Sequence, residues 1–159
     1  MEKSYDVVRK NVMTPAPPLI LVVDDDVDVL AWTSCVLEGA GYRPLCSCSV
    51  DEALDSMARE TPALVITDLM MDSFHSGFTF AQRLRSIDQY KEIPIIVVTG
   101  AASKRGLDFS PRTAEDLEAM QVDALFAKPV KPQDLLGKIE SLLTRARSVD
   151  RENAENEVE

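Results

Sequence analysis

The chain has 159 residues, with 17 lysines and arginines against 27 aspartates and glutamates, and its formal net charge is −10. This acidic balance argues against a protein that binds nucleic acid or anionic lipid through non-specific positive charge. The length suits one domain with tails, and a chain of this size buries enough surface to fold without disulfides or structural metal. No run of 18 apolar residues and no apolar signal core occur, so we predict a cytoplasmic protein without a membrane span.

The chain has three cysteines, Cys35, Cys46 and Cys48. Their odd number favours reduced thiols over a disulfide framework. The pair Cys46 and Cys48 lacks a second cysteine or histidine pair that would complete a metal site. We therefore interpret this pair as small apolar packing residues.

Short apolar runs alternate with helical patterns along the chain. Residues 1–18 end in Pro15-Ala16-Pro17-Pro18 and are predicted to form a flexible arm, because this segment cannot continue a helix. The apolar runs are typical of strands that are covered on both faces. They comprise Leu19 to Val23, Pro44 to Cys48, Ala63 to Thr67, Ile93 to Val98 and Ala124 to Ala127.

Helical patterns fill the intervals between these runs. The first helix has its apolar residues on one face and a stop signal at Gly41. The second opens with the capping box Ser49-x-x-Glu52. A third follows, a shorter fourth has Thr113 as its cap, and the last begins near Pro132, a residue suited to the first turn.

Five strands alternating with five helices predict a doubly wound α/β domain, because parallel strands need crossover helices and these cover both faces of the sheet. We place this domain at residues 19–147. Residues 148–159 carry five carboxylates against one arginine and are predicted to be a disordered or loosely helical acidic tail. Ligands of such sheets bind beyond the carboxyl ends of the strands.

Reactive side chains gather at these strand ends. Asp24-Asp25-Asp26 follows the first strand, Asp68 the third, Thr99 ends the fourth, and Lys128 follows the fifth. Clustered carboxylates repel one another unless a cation compensates, and Mg²⁺ accepts carboxylates together with a phosphate oxygen. An aspartate can attack a phosphoryl group, while a lysine and a hydroxyl stabilise the group in transfer. Taken singly, Asp26 is equally well explained as a helix cap.

Four segments together resemble the receiver domain of two-component response regulators, over about Leu19 to Arg145. They are Val22-Val23-Asp24-Asp25-Asp26, Ile66-Thr67-Asp68-Leu69-Met70-Met71, Val97-Val98-Thr99-Gly100 and Phe126-Ala127-Lys128-Pro129. The resemblance implies a five-stranded parallel sheet in the flavodoxin-like order 2-1-3-4-5, with helices on both faces. It also implies that Asp68 accepts a phosphoryl group from a phosphohistidine on a sensor histidine kinase or a histidine phosphotransfer protein.

The same resemblance implies Mg²⁺ as cofactor, bound by the carboxylates of Asp24, Asp25 and Asp68 and by the backbone carbonyl of Met70. Thr99 and Lys128 are the implied contacts of the phosphoryl group. They report it to the face formed by the fourth helix, fifth strand and fifth helix, where an unidentified protein target is expected to bind. Direct binding to nucleic acid or membrane is not expected, and a homodimer stays open.

Three features depart from the family's pattern. Leu125 stands where the family commonly has an aromatic residue that moves inward on activation. Residues 101–112 form a longer segment than is usual after the fourth strand. Met70 and Ala101 occupy positions that influence dephosphorylation, and neither side chain can orient a water molecule. We therefore predict slow hydrolysis of the phosphoryl group.

These features are typical of a phosphoacceptor switch that catalyses only its own phosphorylation and dephosphorylation and signals through protein contact. A phosphoryl shuttle or sink is the alternative. An aspartyl-phosphate phosphatase is the enzymatic rival, but such enzymes commonly carry an acidic residue at the position of Met70. The absence of a phosphate-binding Gly-rich loop excludes P-loop and dinucleotide folds. A structural pseudo-receiver is disfavoured because no phosphorylation residue is missing.

Overall fold

The computed structural model describes residues 16–69, 76–100 and 114–157. Within these ranges strands and helices alternate, in the order β1 (Leu19–Val23), α1 (Val27–Gly39), β2 (Arg43–Ser47), α2 (Val50–Arg59), β3 (Leu64–Asp68), α3 (Ser76–Arg85), β4 (Ile95–Thr99), α4 (Ala114–Ala119), β5 (Ala124–Ala127) and α5 (Pro132–Asn156). Some predicted features lie outside the described residues, namely most of the arm, the Met70 carbonyl, Ala101, residues 101–112 and the Thr113 cap.

The five strands pair in parallel in the order β2-β1-β3-β4-β5, which confirms the predicted sheet. The register places Val23 beside Thr67 and Thr99 beside Ala127. Since all strands run the same way, their carboxyl ends meet at one edge of the sheet. The residues at the ends of β1, β3 and β5 therefore lie at the same edge of the sheet.

Both faces of the sheet are buried. Alternate residues of β1 point to opposite sides, so that Leu21 and Val23 pack with α2 and α3, while Ile20 and Val22 pack with α1 and α5. The same alternation separates two consecutive residues of β5. Leu125 packs on the side of the sheet covered by α2 and α3, and Phe126 packs on the side covered by α1 and α5. These two apolar layers hold the helices against the sheet and keep the carboxyl edge in place.

Local signals in the sequence set the helix ends. The Asp26 side chain caps α1 by accepting a hydrogen bond from the amide of the second helical residue. Gly41, just past α1, has a φ of 86°, a left-handed conformation that favours glycine. Ser49 Oγ accepts from the Glu52 amide at 3.2 Å, and the Glu52 carboxylate accepts from the Cys48 amide at 2.8 Å. The predicted capping box is thus present, with its return bond one residue earlier.

α5 is one continuous helix of 25 residues, and the predicted acidic tail, which starts at residue 148, begins inside it. No glycine or proline follows Gly137, and Arg151 and Glu155 stand at the i, i+4 spacing that supports a helix. The predicted boundary after residue 147 therefore marks no break in secondary structure. No helix in the described ranges is both long and apolar enough to cross a membrane.

The cysteines differ from one another in environment. Cys46 is half-buried, with its Sγ 3.0 Å from Ser34 Oγ, whereas Cys35 and Cys48 are exposed. The packing interpretation therefore describes Cys46. It is wrong for Cys48, which lies in the connection between β2 and α2 and is exposed to solvent.

Candidate functional site

Three side chains that are distant in sequence meet at the carboxyl edge of the sheet. Lys128 directly follows β5, and its Nζ lies 2.8 Å from Asp68 Oδ2 and 3.1 Å from Asp24 Oδ2. Asp24 directly follows β1, and Asp68 is the last residue of β3. The parallel order of the strands therefore produces this contact, which links residues up to 104 positions apart.

Asp24 is held in place from both sides and is only 4% exposed. Its Oδ1 accepts a hydrogen bond from the Asp26 amide at 2.9 Å, and its own amide donates to the Ser47 carbonyl at 3.1 Å. Burial raises the pKa of Asp24, and the charge of Asp68 acts in the same direction, whereas the Asp26 amide and Lys128 oppose the shift. The site thus holds a carboxylate that needs a cation.

Lys128 supplies one positive charge to this cluster. Burial by itself would lower the pKa of the Lys128 ammonium, but the hydrogen bond and charge of Asp68, with those of Asp24, outweigh it and leave the pKa raised. Lys128 is therefore charged at neutral pH. Its backbone amide also donates to the Thr99 carbonyl at 2.9 Å, which ties the end of β5 to the end of β4.

The acidic cluster suits a divalent cation. Asp25 is exposed beside the buried Asp24 and Asp68, and carboxylate oxygens of the three residues all lie within 4.8 Å of one another. Within the part of the chain that the structure describes, the three carboxylates of this cluster exceed the ammonium of Lys128 by two negative charges. Mg²⁺ prefers oxygen ligands and keeps some of its water, so a set with one exposed member fits this ion. These residues fit Mg²⁺.

Thr99 lies at the same edge, as the last residue of β4, and is 2% exposed. The β3–β4 register sets Asp68 beside Val98, so Thr99 is one position beyond the neighbour of Asp68. Among the predicted site residues, the structure thus brings Asp24, Asp25, Asp68 and Lys128 together and places Thr99 at the same edge. The carbonyl of Met70 lies outside the described residues and stays a prediction.

The start of α3 packs closely against the end of β3. Gly77 is the second residue of α3, and its amide donates to the Leu69 carbonyl at 3.0 Å. A Cβ added at Gly77 would lie 2.4 Å from the Asp68 carbonyl oxygen and 2.7 Å from Leu69 Cα. These are backbone atoms that cannot rotate away. Gly77 therefore allows α3 to support the strand end that carries Asp68.

We expect Gly77→Ala to destabilise the protein by about 1–3 kcal/mol, because the added methyl group overlaps the backbone at the end of β3. The matched control is Gly137→Ala in α5, where an added Cβ meets nothing within 4 Å. That change should instead stabilise the fold by about 0.5–1 kcal/mol, since alanine favours helix. Urea denaturation measures both free energies of unfolding, and equal effects of the two substitutions would contradict the packing described.

An apolar cavity of about 540 Å³ adjoins the acidic cluster. Val29 and Trp32 of α1 and Val130 after β5 contribute to its apolar wall, and Asp68 and Lys128 lie at its polar end. Trp32 is 42% exposed, which is unusual for so large an apolar side chain. The sequence pattern did not indicate this cavity. One signal in the sequence could have indicated it. Val29 and Trp32 are apolar residues three positions apart on α1, while other residues of this helix supply its buried face.

Comparison with known proteins supports the fold. A family model described as the response regulator receiver domain matches residues 20–140. The chemotaxis protein CheY4 of Vibrio cholerae has a similar structure, with a TM-score of 0.67 and 27% sequence identity, over 80% of this chain and 99% of that one.

Two curated proteins show the same similarity. The response regulator Rre1 of Synechocystis sp. is 30% identical over 135 residues, covering 83% of this chain and 54% of that protein. The phosphate regulon transcriptional regulatory protein PhoB of Escherichia coli is 25% identical over 130 residues, covering 79% and 52%. The chain thus spans about half the length of the curated relatives it matches.

Proposed function

The chain belongs to the family of response regulator receiver domains, and we propose that Asp68 is its phosphoacceptor and Lys128 the residue that contacts the phosphoryl group. Receiver domains are signalling switches of two-component systems that partner with histidine kinases or phosphotransfer proteins. For this chain, we propose a phosphohistidine on such a protein as the donor and a protein contact as the output. We place the protein in the cytoplasm.

A single observation carries the assignment: one ammonium group, that of Lys128, contacts two buried carboxylates at the edge where a ligand would bind. Both carboxylates also line the apolar cavity. Asp68 is the last residue of β3, beside the apolar cavity, and contacts Lys128 at the shorter distance of 2.8 Å. Because Asp68 also stands where the receiver domains that the sequence resembles carry their phosphoacceptor, we propose Asp68 rather than Asp24 as the carboxylate that attacks phosphorus.

The proposed transfer is a displacement at phosphorus. A carboxylate oxygen of Asp68 forms a bond to phosphorus, the bond from phosphorus to the histidine nitrogen breaks, and that nitrogen keeps the electron pair. The product is an acyl phosphate on Asp68. The Lys128 ammonium can stabilise the negative charge of the added phosphoryl group, because it already lies within hydrogen-bond distance of Asp68. Thr99, at the end of β4, is the proposed hydroxyl contact.

Mg²⁺ would be held by Asp24, Asp25, Asp68 and the Met70 carbonyl, and it would neutralise charge on the phosphoryl oxygens. The role of this chain's carboxylates is to hold that cation beside Asp68. Asp25 contributes the exposed side of the set. The excess of two negative charges repels an incoming phosphate until a cation is bound.

We expect Asp25→Ala to weaken Mg²⁺ binding at least about tenfold, because one of three clustered carboxylates is lost. Asp25 is exposed, so the fold should not change. Isothermal titration of Mg²⁺ into both proteins measures the effect. The control is Asp88→Ala, which removes a carboxylate with a 99% exposed side chain that is paired with Lys91 rather than with the cluster. Unchanged affinity in Asp25→Ala would remove Asp25 from the proposed ligand set.

The apolar cavity supports a protein rather than a small molecule as the natural donor. A phosphohistidine that reaches Asp68 comes close to Trp32 and Val130, because these residues line the same cavity as Asp68. Apolar side chains on the donor would bury this exposed surface and orient the histidine, and such burial stabilises a complex by about 25 cal/mol per Å². We propose this wall as the contact surface of the donor.

The proposal is tested by incubating the chain with acetyl phosphate, a small phosphoryl donor, and measuring intact mass. With Mg²⁺ the mass should rise by one phosphoryl group, and with a chelator it should not. Turnover of a phosphate ester would instead favour the phosphatase. A phosphoryl shuttle or sink remains the second candidate, and a pull-down with and without beryllofluoride distinguishes it, since a switch gains or loses a partner and a shuttle does not.

A further inference from the structure

The apolar cavity beside the acidic cluster has the size of a small-molecule site. Its volume is about 540 Å³, and ligand pockets in proteins commonly measure about 300–1,000 Å³. Its lining includes Val22 of β1, Ile66 of β3 and Leu135 of α5, which are buried residues of the core between the sheet, α1 and α5. The cavity therefore reaches the apolar layer below the surface, where a small molecule can bury its apolar part.

Trp32 of α1 lines the same cavity and remains exposed to solvent. A ligand that covers the indole ring removes apolar surface from water, which favours binding. The face of an indole ring also attracts cations, more strongly than the other aromatic side chains do. Trp32 thus offers both an apolar contact and an attraction for positive charge.

The charge of the cavity lining is negative. In the described part of the chain, the charged residues that line it are Asp24, Asp28, Asp68 and Lys128, so negative charges exceed positive ones by two. The ammonium group of Lys128 is already in contact with Asp24 and Asp68. An anion would enter against the excess of negative charge, whereas a cation is attracted by it. The cavity is therefore complementary to a positively charged ligand.

Asp28 and Trp32 lie next to each other on one face of α1. They stand at the i, i+4 spacing of helical neighbours, and both line the cavity. A carboxylate beside an indole ring suits an ammonium group, which can pair with the carboxylate and lie over the face of the ring. Asp28 is not among the proposed Mg²⁺ ligands, so this pair is distinct from them.

We propose that the cavity binds a small organic cation with an apolar body and one ammonium group. The body lies against Val29, Trp32 and Val130, and the ammonium group lies beside the carboxylate of Asp28. The apolar wall provides the contact area, and the excess of negative charge selects the cation over an uncharged molecule of the same shape. The inference does not depend on the proposed function, because neither phosphorylation of Asp68 nor Mg²⁺ takes part in the binding.

Three small molecules of similar shape and different charge test the proposal on the full chain at neutral pH with a chelator present. They are the cation 2-phenylethylammonium, the uncharged 2-phenylethanol and the anion phenylacetate. In isothermal titration calorimetry, we expect the cation to bind at least about tenfold more tightly than the alcohol, and the anion to bind most weakly. Trp32 is the only tryptophan of the chain. Its fluorescence should therefore change with the same saturation curve.

Two substitutions locate the ligand. Trp32→Ala removes the ring and should weaken binding of the cation at least about tenfold, whereas Trp32→Phe keeps a ring and should retain most of the affinity. Asp28→Asn should weaken binding of the cation about threefold or more and leave binding of the alcohol unchanged. The matched control is Asp51→Asn, which removes an exposed carboxylate from the first turn of α2, on the opposite face of the sheet. It should bind all three molecules like the wild type.

Three outcomes would overturn the proposal. Equal affinities for the cation and the alcohol would mean that charge does not select the ligand. Binding of the cation that is unchanged in Trp32→Ala or in Asp28→Asn would place the ligand elsewhere. Lack of saturable binding of the cation would mean that the cavity is not a site for this class of molecule. A chain that is phosphorylated on Asp68 but does not bind the cation contradicts this inference and leaves the proposed function intact.

Discussion

Asp68→Asn should abolish phosphorylation by acetyl phosphate. The amide of asparagine is close in shape to the carboxylate but is not a nucleophile toward phosphorus, so we expect the phosphorylated fraction to fall at least about a hundredfold. Asparagine can still accept a hydrogen bond from Lys128, whose Nζ also keeps its contact with Asp24 at 3.1 Å. The loss should therefore occur without unfolding. Intact mass spectrometry in the presence of Mg²⁺ measures the fraction.

The control for this prediction is Asp88→Asn, which removes an exposed carboxylate outside the cluster. It should be phosphorylated like the wild type. If Asp68→Asn retains more than a small part of the wild-type signal, another side chain is the acceptor. Far-ultraviolet circular dichroism is measured on the same samples. A changed spectrum would mean that phosphorylation is lost because the fold has changed.

Lys128→Met should destabilise the protein in the absence of metal. The wild-type ammonium contacts Asp24 and Asp68, which are 4% and 8% exposed. Without it, these two buried carboxylates lose the ammonium group that contacts both of them, and such a loss costs on the order of 3 kcal/mol. Urea denaturation with a chelator present measures the change in the free energy of unfolding. Lys131→Met, at an exposed position before α5, is the control and should have little effect.

Mg²⁺ should restore much of the stability lost in Lys128→Met. The variant has one positive charge less at the site, so the cation is repelled less and binds more tightly than in the wild type. Ligand that binds only the folded state raises its stability in proportion to the logarithm of ligand concentration over Kd. The rise in Tm on adding Mg²⁺ should therefore be larger in the variant. An equal or smaller rise would contradict the shared carboxylate cluster.

Much of the fold follows from the order of apolar runs. The five runs match the observed strands to within two residues at each end, because strands covered on both faces are continuously apolar. Asp68 and Lys128 could be predicted as neighbours because both lie at carboxyl ends of parallel strands. That reasoning places them at one edge. The resemblance to receiver domains added the strand order and the individual roles.

Other features depend on packing that no local pattern encodes. The hydrogen bonds of Lys128 to both Asp24 and Asp68 depend on the path of its side chain across the sheet edge. Position 77 needs glycine because α3 approaches β3 closely there. From the sequence alone, this glycine is explained equally well as a turn residue. The composition of residues 148–159 does not predict where α5 ends, since a charged segment with few apolar residues is typical of both a disordered tail and an exposed helix.

The position of the phosphoryl group tests the central claim most directly. The wild-type chain is phosphorylated with acetyl phosphate and Mg²⁺, the acyl phosphate is reduced with borohydride, and the peptides are sequenced by tandem mass spectrometry. Reduction of an aspartyl phosphate leaves homoserine, which marks the acceptor. The account predicts homoserine at position 68. Homoserine at position 24 or 25, or at no aspartate at all, would contradict it.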